Sequence, residues 1–177
     1  IKIVSELTAN ADLPTPAIYI IDEDSPNAFA TGRNPSNAAI AVTRGLIEQL
    51  TQKELKGVVA HELAHILNRD ILIATVSAVF AAAISSLASF ALIFGGRGGN
   101  RPSNPFLFIL LAFVTPIAAT IIQMAISRSR EYEADRIGAS LTQDPGSLAS
   151  ALEKIDEISR IKNFNTVQQH PETAQMM

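Results

Sequence analysis

Two of the chain's three histidines, His61 and His65, stand four residues apart in "HELAH", with Glu62 following the first. On a helix, positions i and i+4 share a face, so both imidazoles can turn toward one metal ion. Glu62 is displaced around the helix, where its carboxylate can reach a water on that metal without being a ligand. Zinc brings the pKa of such a water toward ~7. A carboxylate within hydrogen-bond reach then takes the proton as the oxygen attacks a peptide carbonyl, and hands it to the leaving amine. The plainer reading is an ordinary helix that carries two surface histidines.

A catalytic zinc needs a third protein ligand and an open position. The chain has no cysteine, so the candidates are His170 and the acids. "SREYEAD" is the best source: Glu131 and Asp135 are again i and i+4, so one can bind the metal while the other holds the second nitrogen of a ligand imidazole. Glu131, Ala134, Asp135 and Gly138 share a helix face, whereas Glu133 is rotated about 200° from Glu131 at ~100° per residue. Taken alone, this acidic cluster reads as a solvated face.

The elements that must position these groups have signals of their own. Thr51 and Glu54 in "TQKE" form a capping box, and Leu55, Val58, Val59, Leu63 and Ile66 follow as an apolar stripe, which predicts a helix under the histidines. Ahead of it, "AIYIID", "NAFATG" and "AAIAVT" predict short strands in a small sheet beside that helix. After the acids, "SREYEADRIGASLT" predicts another helix. "GSLASALEKIDEISRIK" predicts an amphipathic one with Leu148, Leu152, Ile155 and Ile158 inward. From Asn163 the chain is polar.

Between the two ligand motifs lie two windows without charge. Ile71 to Phe94 makes a helix about 36 Å long and Phe106 to Ile126 one of about 31 Å, both long enough for a hydrocarbon core. Pro116 is expected to kink the second. The turn-rich "GGRGGNRPSNP" joins them as an antiparallel hairpin, and Ala81, Ala82, Ala83, Ser85, Ser86 and Ser89 suit close packing in lipid. The hairpin returns the acidic motif beside His65. Lys53, Lys56, Arg69, Arg128, Arg130 and Arg136 lie at one membrane face, against Arg97 and Arg101 at the other, which puts the histidine side in the cytoplasm. A buried hairpin inside a soluble protein is the competing reading.

Composition agrees: 47% of the 177 residues are hydrophobic and the mean hydropathy is +0.22. The net charge of −3, with basic residues scattered, argues against nucleic acid as a partner. With no initiator Met and no signal pattern at "IKIVSELTAN", the chain is expected to be a piece of a longer protein.

On "HELAH", "SREYEAD", "NAFATGRNPSNAAIAVTRGLIEQL" and the intervening apolar pair, in that order, the chain resembles the HtpX heat-shock membrane metalloproteases, relatives of the type-1 CAAX prenyl proteases. The resemblance implies an α+β, mainly helical, gluzincin-like fold. His61, His65 and Glu131 would bind one Zn2+ per chain, Glu62 would be general base and acid, and Asp135 would support a ligand histidine. It further implies that Asn27, Ala28, Phe29 and Ala30 lie on an edge strand that pairs with an extended substrate backbone. The family's C-terminal His-Pro segment is followed by an Arg that "QHPETAQMM" lacks, so no oxyanion partner is assigned and His170 is given no role.

The expected organisation is a protease domain in two parts, 1–70 and 128–177, interrupted by a transmembrane hairpin over 71–127. The expected function is zinc-dependent endoproteolysis of misfolded or damaged membrane proteins, in envelope quality control and the heat-shock response. The enzyme would be multi-pass in the inner membrane with its site facing the cytoplasm. The alternatives are a CAAX-type prenyl-protein protease and a non-catalytic zinc-binding membrane adaptor. An intact Glu62 argues against the last, since binding alone needs no base.

Overall fold

Short β-branched and alanine-rich runs bounded by Pro, Asn and Gly form three strands, β1 (Ala17–Ile21), β2 (Ala28–Asn34) and β3 (Asn37–Thr43). This computed structural model describes residues 1–95 and 105–169. The sheet order is β1-β3-β2, with β1 parallel and β2 antiparallel to β3. β3 is therefore central and the other two are edges. Among the described residues, six helices accompany them: α1 (Lys2–Asn10), α2 (Arg44–Gln49), α3 (Gln52–Leu67), α4 (Asp70–Gly95), α5 (Pro105–Thr142) and α6 (Pro145–Gln169).

The chain divides into two compact units. One comprises Ile1–Arg69 and the chain from Glu133 onward, the other Asp70–Tyr132. α5 contributes residues to both.

In the first unit, Val4 and Leu7 of α1, Ile40 and Val42 of β3, Leu46 of α2, Val58, Val59 and Leu63 of α3, and Leu148 and Ala151 of α6 form the core. The anticipated stripe on α3 faces it: Val58, Val59, Leu63 and Ile66 are buried and Leu55 packs against them. The capping box is present, with Thr51 Oγ1 accepting from the Glu54 amide and Glu54 Oε2 accepting from the Thr51 amide. α1 and α2 are additions to the helices expected from the sequence.

Two expectations are corrected here. Leu152 points outward, 51% exposed, and Ala151 takes the inward place between Leu148 and Ile155. Positions 151 and 152 both lie about one turn beyond Leu148, so periodicity alone does not choose between them. The face that packs on the core is the one carrying Ala151. Second, "SREYEADRIGASLT" is not a separate helix but the end of α5, which runs unbroken from Pro105. Nothing in Ser127, Arg128 and Ser129 breaks a helix, so the predicted boundary has no physical basis.

In the second unit, α4 includes an 18-residue stretch, Asp70–Leu87, apolar and long enough to cross a membrane and almost entirely unburied. Its large apolar side chains, among them Val79, Phe80, Ile84 and Leu87, are exposed. A core helix of a soluble protein would bury them. Pro116 lies inside α5, its carbonyl accepting from Thr120 Oγ1 at 2.9 Å. Most of the predicted linker, and His170, lie outside the described residues.

Candidate metal centre

α3 holds His61 and His65 one turn apart, and their Nε2 atoms approach to 3.0 Å with the rings edge to face at 88°. Two nitrogens bound to one tetrahedral ion at ~2.05 Å would stand roughly 3.3 Å apart, so a shift of a few tenths of an ångström accommodates zinc. The donor set fits the metal.

The second nitrogen of His61 is also placed. Asp135 Oδ1 lies 2.9 Å from His61 Nδ1, which is fully buried. A carboxylate there favours the tautomer with the proton on Nδ1 and leaves the Nε2 lone pair for a metal or for a proton from His65. The approach of the two helices depends on small residues. Ala134 is fully buried, and a Cβ on Gly138 would meet the His61 nitrogen at 3.2 Å and its Cα at 3.3 Å. The face shared by these residues was legible; their contact with the His61 backbone was not.

Glu62 is held by the sheet. Its Oε2 accepts the Ala30 amide at 2.8 Å. This works because Ala28 and Ala30 turn small side chains toward the core and let α3 lie against β2. Main-chain direction alternates along a strand, and the Asn27 carbonyl accepts from the Thr43 amide of the β3 side. Asn27 and Phe29 therefore turn their main chain toward β3, and Ala28 and Ala30 toward the free edge. Phe29 is exposed on the outer face.

Glu131 is exposed and lies on α5, one turn before Asp135, in the stretch that belongs to the second unit. Glu133 pairs with Arg136 at 2.9 and 2.5 Å, and that hydrogen bond holds its carboxyl below the usual range.

One structural role was not foreseen. Besides capping α3, Glu54 accepts from Ser150 Oγ at 2.6 Å and from Lys154 Nζ at 2.8 Å, tying α3 to α6. These bonds, with that from Lys154 foremost, lower its pKa to about 2.

The model of peptidase family M48 matches residues 1–175. Proteins named "Protease HtpX homolog" from Methylibium petroleiphilum, Polynucleobacter necessarius and Burkholderia mallei are 58%, 57% and 56% identical to this chain. The alignments cover 98%, 99% and 99% of this chain and 62%, 61% and 62% of those proteins. The chain thus spans about three fifths of the length of these curated relatives. No solved structure matches it.

Proposed function

This chain belongs to peptidase family M48, and from that premise we propose that it is the zinc-binding part of a membrane endopeptidase. The observation that carries the proposal is the fixed carboxylate of Glu62, bonded to the Ala30 amide on the helix that brings two Nε2 atoms together. The relatives' printed name, Protease HtpX homolog, supports the same reading.

His61, His65 and Glu131 are a donor set suited to a metal, and we assign them to Zn2+. Glu131 takes the third place because α5 is unbroken from it to Asp135, about 6 Å along the axis, and Asp135 already contacts His61. Zinc held there supplies the Lewis acid that acidifies an attacking water. Glu62 accepts the proton and returns it to the leaving amine, its carboxylate kept in direction by the Ala30 N–H. Asp135 keeps His61 in the tautomer that binds. Along β2, Ala28 offers its main-chain N–H and carbonyl and Ala30 its carbonyl to an extended substrate, while Asn27 and Phe29 flank it with side chains. The fold is gluzincin-like on this reading.

α4 and the first part of α5 form a transmembrane hairpin, supported by the unburied apolar face of Asp70–Leu87. The basic residues at one end place the site on the cytoplasmic side of the inner membrane. Substrates are then misfolded or damaged membrane proteins in envelope quality control and heat stress. The test is Glu62→Gln in the full-length protein. Zinc content should stay near one per chain while cleavage of casein or of a membrane protein falls at least a hundredfold. Undiminished turnover by the metal-loaded variant would remove Glu62 from the chemistry.

A further inference from the structure

Arg130 brings a cation into the second unit with little to hold it. Its Nη1 donates to the Asp70 carbonyl at 2.8 Å, while its Nε is buried without a hydrogen-bond partner. Among the described residues no carboxylate forms an ion pair with it. Enclosing part of a guanidinium without a counter-charge is costly, and the guanidinium's planar fork of donors matches an oxyanion.

The space beside it has the shape to supply one. Arg130 borders a cavity of about 260 Å³ whose other polar walls are Ser77, Gln123 and Ser127. A second cavity, of about 170 Å³, shares Ser77, Gln123 and Ile126 with the first and continues along apolar walls that include Phe80, Ile84 and Ile122. One end is cationic and polar and the other is hydrocarbon, which is the pattern of an amphiphile.

Depth runs the same way. Asp70 begins the apolar window of α4, so the guanidinium bonded to its carbonyl is level with the end of that window, where lipid phosphates lie. Ser77 is about 10 Å further along the axis and Ile84 about 21 Å.

We propose that this groove between α4 and α5 binds an anionic phospholipid, its phosphodiester on Arg130, its ester region at Gln123 and Ser77, and an acyl chain against Phe80, Ile84 and Ile122. The proposal rests on the reading of α4 and α5 as membrane-spanning. A peptide carbonyl carries no net charge and would leave the guanidinium uncompensated, so lipid is the better occupant.

The test is native mass spectrometry of the full-length protein released from mixed micelles containing phosphatidylglycerol, with phosphatidylcholine and free glycerol 3-phosphate as separate arms. One retained phosphatidylglycerol per chain is expected, preferred over phosphatidylcholine and not displaced by millimolar glycerol 3-phosphate. Arg130→Gln and Ser77→Leu, which remove the cation and fill the cavity, should each lower retention about tenfold. Arg130→Lys should fall between, and Arg160→Gln, on α6, should change nothing. Thermal melting of each variant identifies any loss that is mere unfolding, and Ser77→Leu tests the groove independently of Arg130. Equal retention by the parent and both folded variants overturns the proposal, and so does displacement by glycerol 3-phosphate, which would mark a plain anion site. Carbonate extraction separates the two readings: protein that stays in the membrane yet binds lipid without Arg130 refutes only the lipid site, whereas extracted protein refutes the hairpin.

Discussion

Asp135 Oδ1 stands 2.9 Å from His61 Nδ1, reaching from α5 to α3. On the proposed reading, a carboxylate at this distance favours the proton on Nδ1 and leaves the Nε2 lone pair on the side of His65. Supporting carboxylates of this kind commonly contribute 10 to 100-fold to metal affinity or activity. Asp135→Asn should weaken zinc binding within that range, measured by competition with a chromogenic chelator, and Asp135→Ala should weaken it more. Parent-like affinity in both variants would mean that the contact is incidental.

Two carboxylates two residues apart should behave oppositely. Glu131 shares the helix face of Asp135, whereas Glu133 is bonded to Arg136. On the proposed assignment, Glu131→Gln takes an anionic oxygen from a three-ligand site and should lose zinc on dialysis. Glu133→Gln should keep metal content and peptide hydrolysis near the parent, at the cost only of an exposed pair worth little. If Glu133→Gln strips the metal while Glu131→Gln keeps it, the ligand assignment fails.

Gly138 sets how near Asp135 can come. A Cβ there already meets His61 main-chain atoms at 3.2 and 3.3 Å, so Gly138→Ala requires a small shift and Gly138→Val a larger one. Overpacking of this kind costs roughly 1–3 kcal/mol. The valine variant should melt lower and bind zinc more weakly, because the helix segment that moves away carries Asp135. A valine variant with parent-like melting and metal affinity would show that the segment does not need the close approach.

What the sequence made legible followed from local chemistry. The capping box of Thr51 and Glu54, the stripe from Leu55 to Ile66 and the turn-bounded strands all depend on near neighbours in the chain, and each formed where predicted. The misses depend on partners far away in sequence. Periodicity alone admits Leu152 as inward, but positions 151 and 152 both lie about one turn from Leu148, and packing on the core of the first unit puts Ala151 there instead. Likewise the Ala30 amide bonds Glu62 across 32 residues, and Ser150 and Lys154 bond Glu54 across about a hundred. Helical spacing can align His61 with His65, but it says nothing of which strand amide will orient the carboxylate between them.

Glu54 gives the last prediction, a pH dependence. Buried between α3 and α6, it accepts from Lys154, Ser150 and the Thr51 amide and hydroxyl, and its folded pKa is lowered to about 2. An unfolded glutamate titrates near ~4.3. Because the folded value is the lower one, the unfolded chain takes up the proton first as pH falls. The stability that Glu54 contributes is therefore fully present above about 4.3 and is lost as pH falls from there toward 2. The measurement is made with a chelator present, so that loss of any bound metal adds no acid-sensitive step of its own. Under those conditions Glu54→Gln should melt lower than the parent at pH 7, with Lys154 left beside a neutral group. The gap should close progressively between pH 4.5 and 2, because glutamine has no proton to gain. Lys154→Met removes the largest cause of the shift and should move the parent's acid limb to higher pH. If the parent and Glu54→Gln instead lose stability in parallel over that range, the carboxylate is not what joins the two helices, and the acid sensitivity belongs elsewhere.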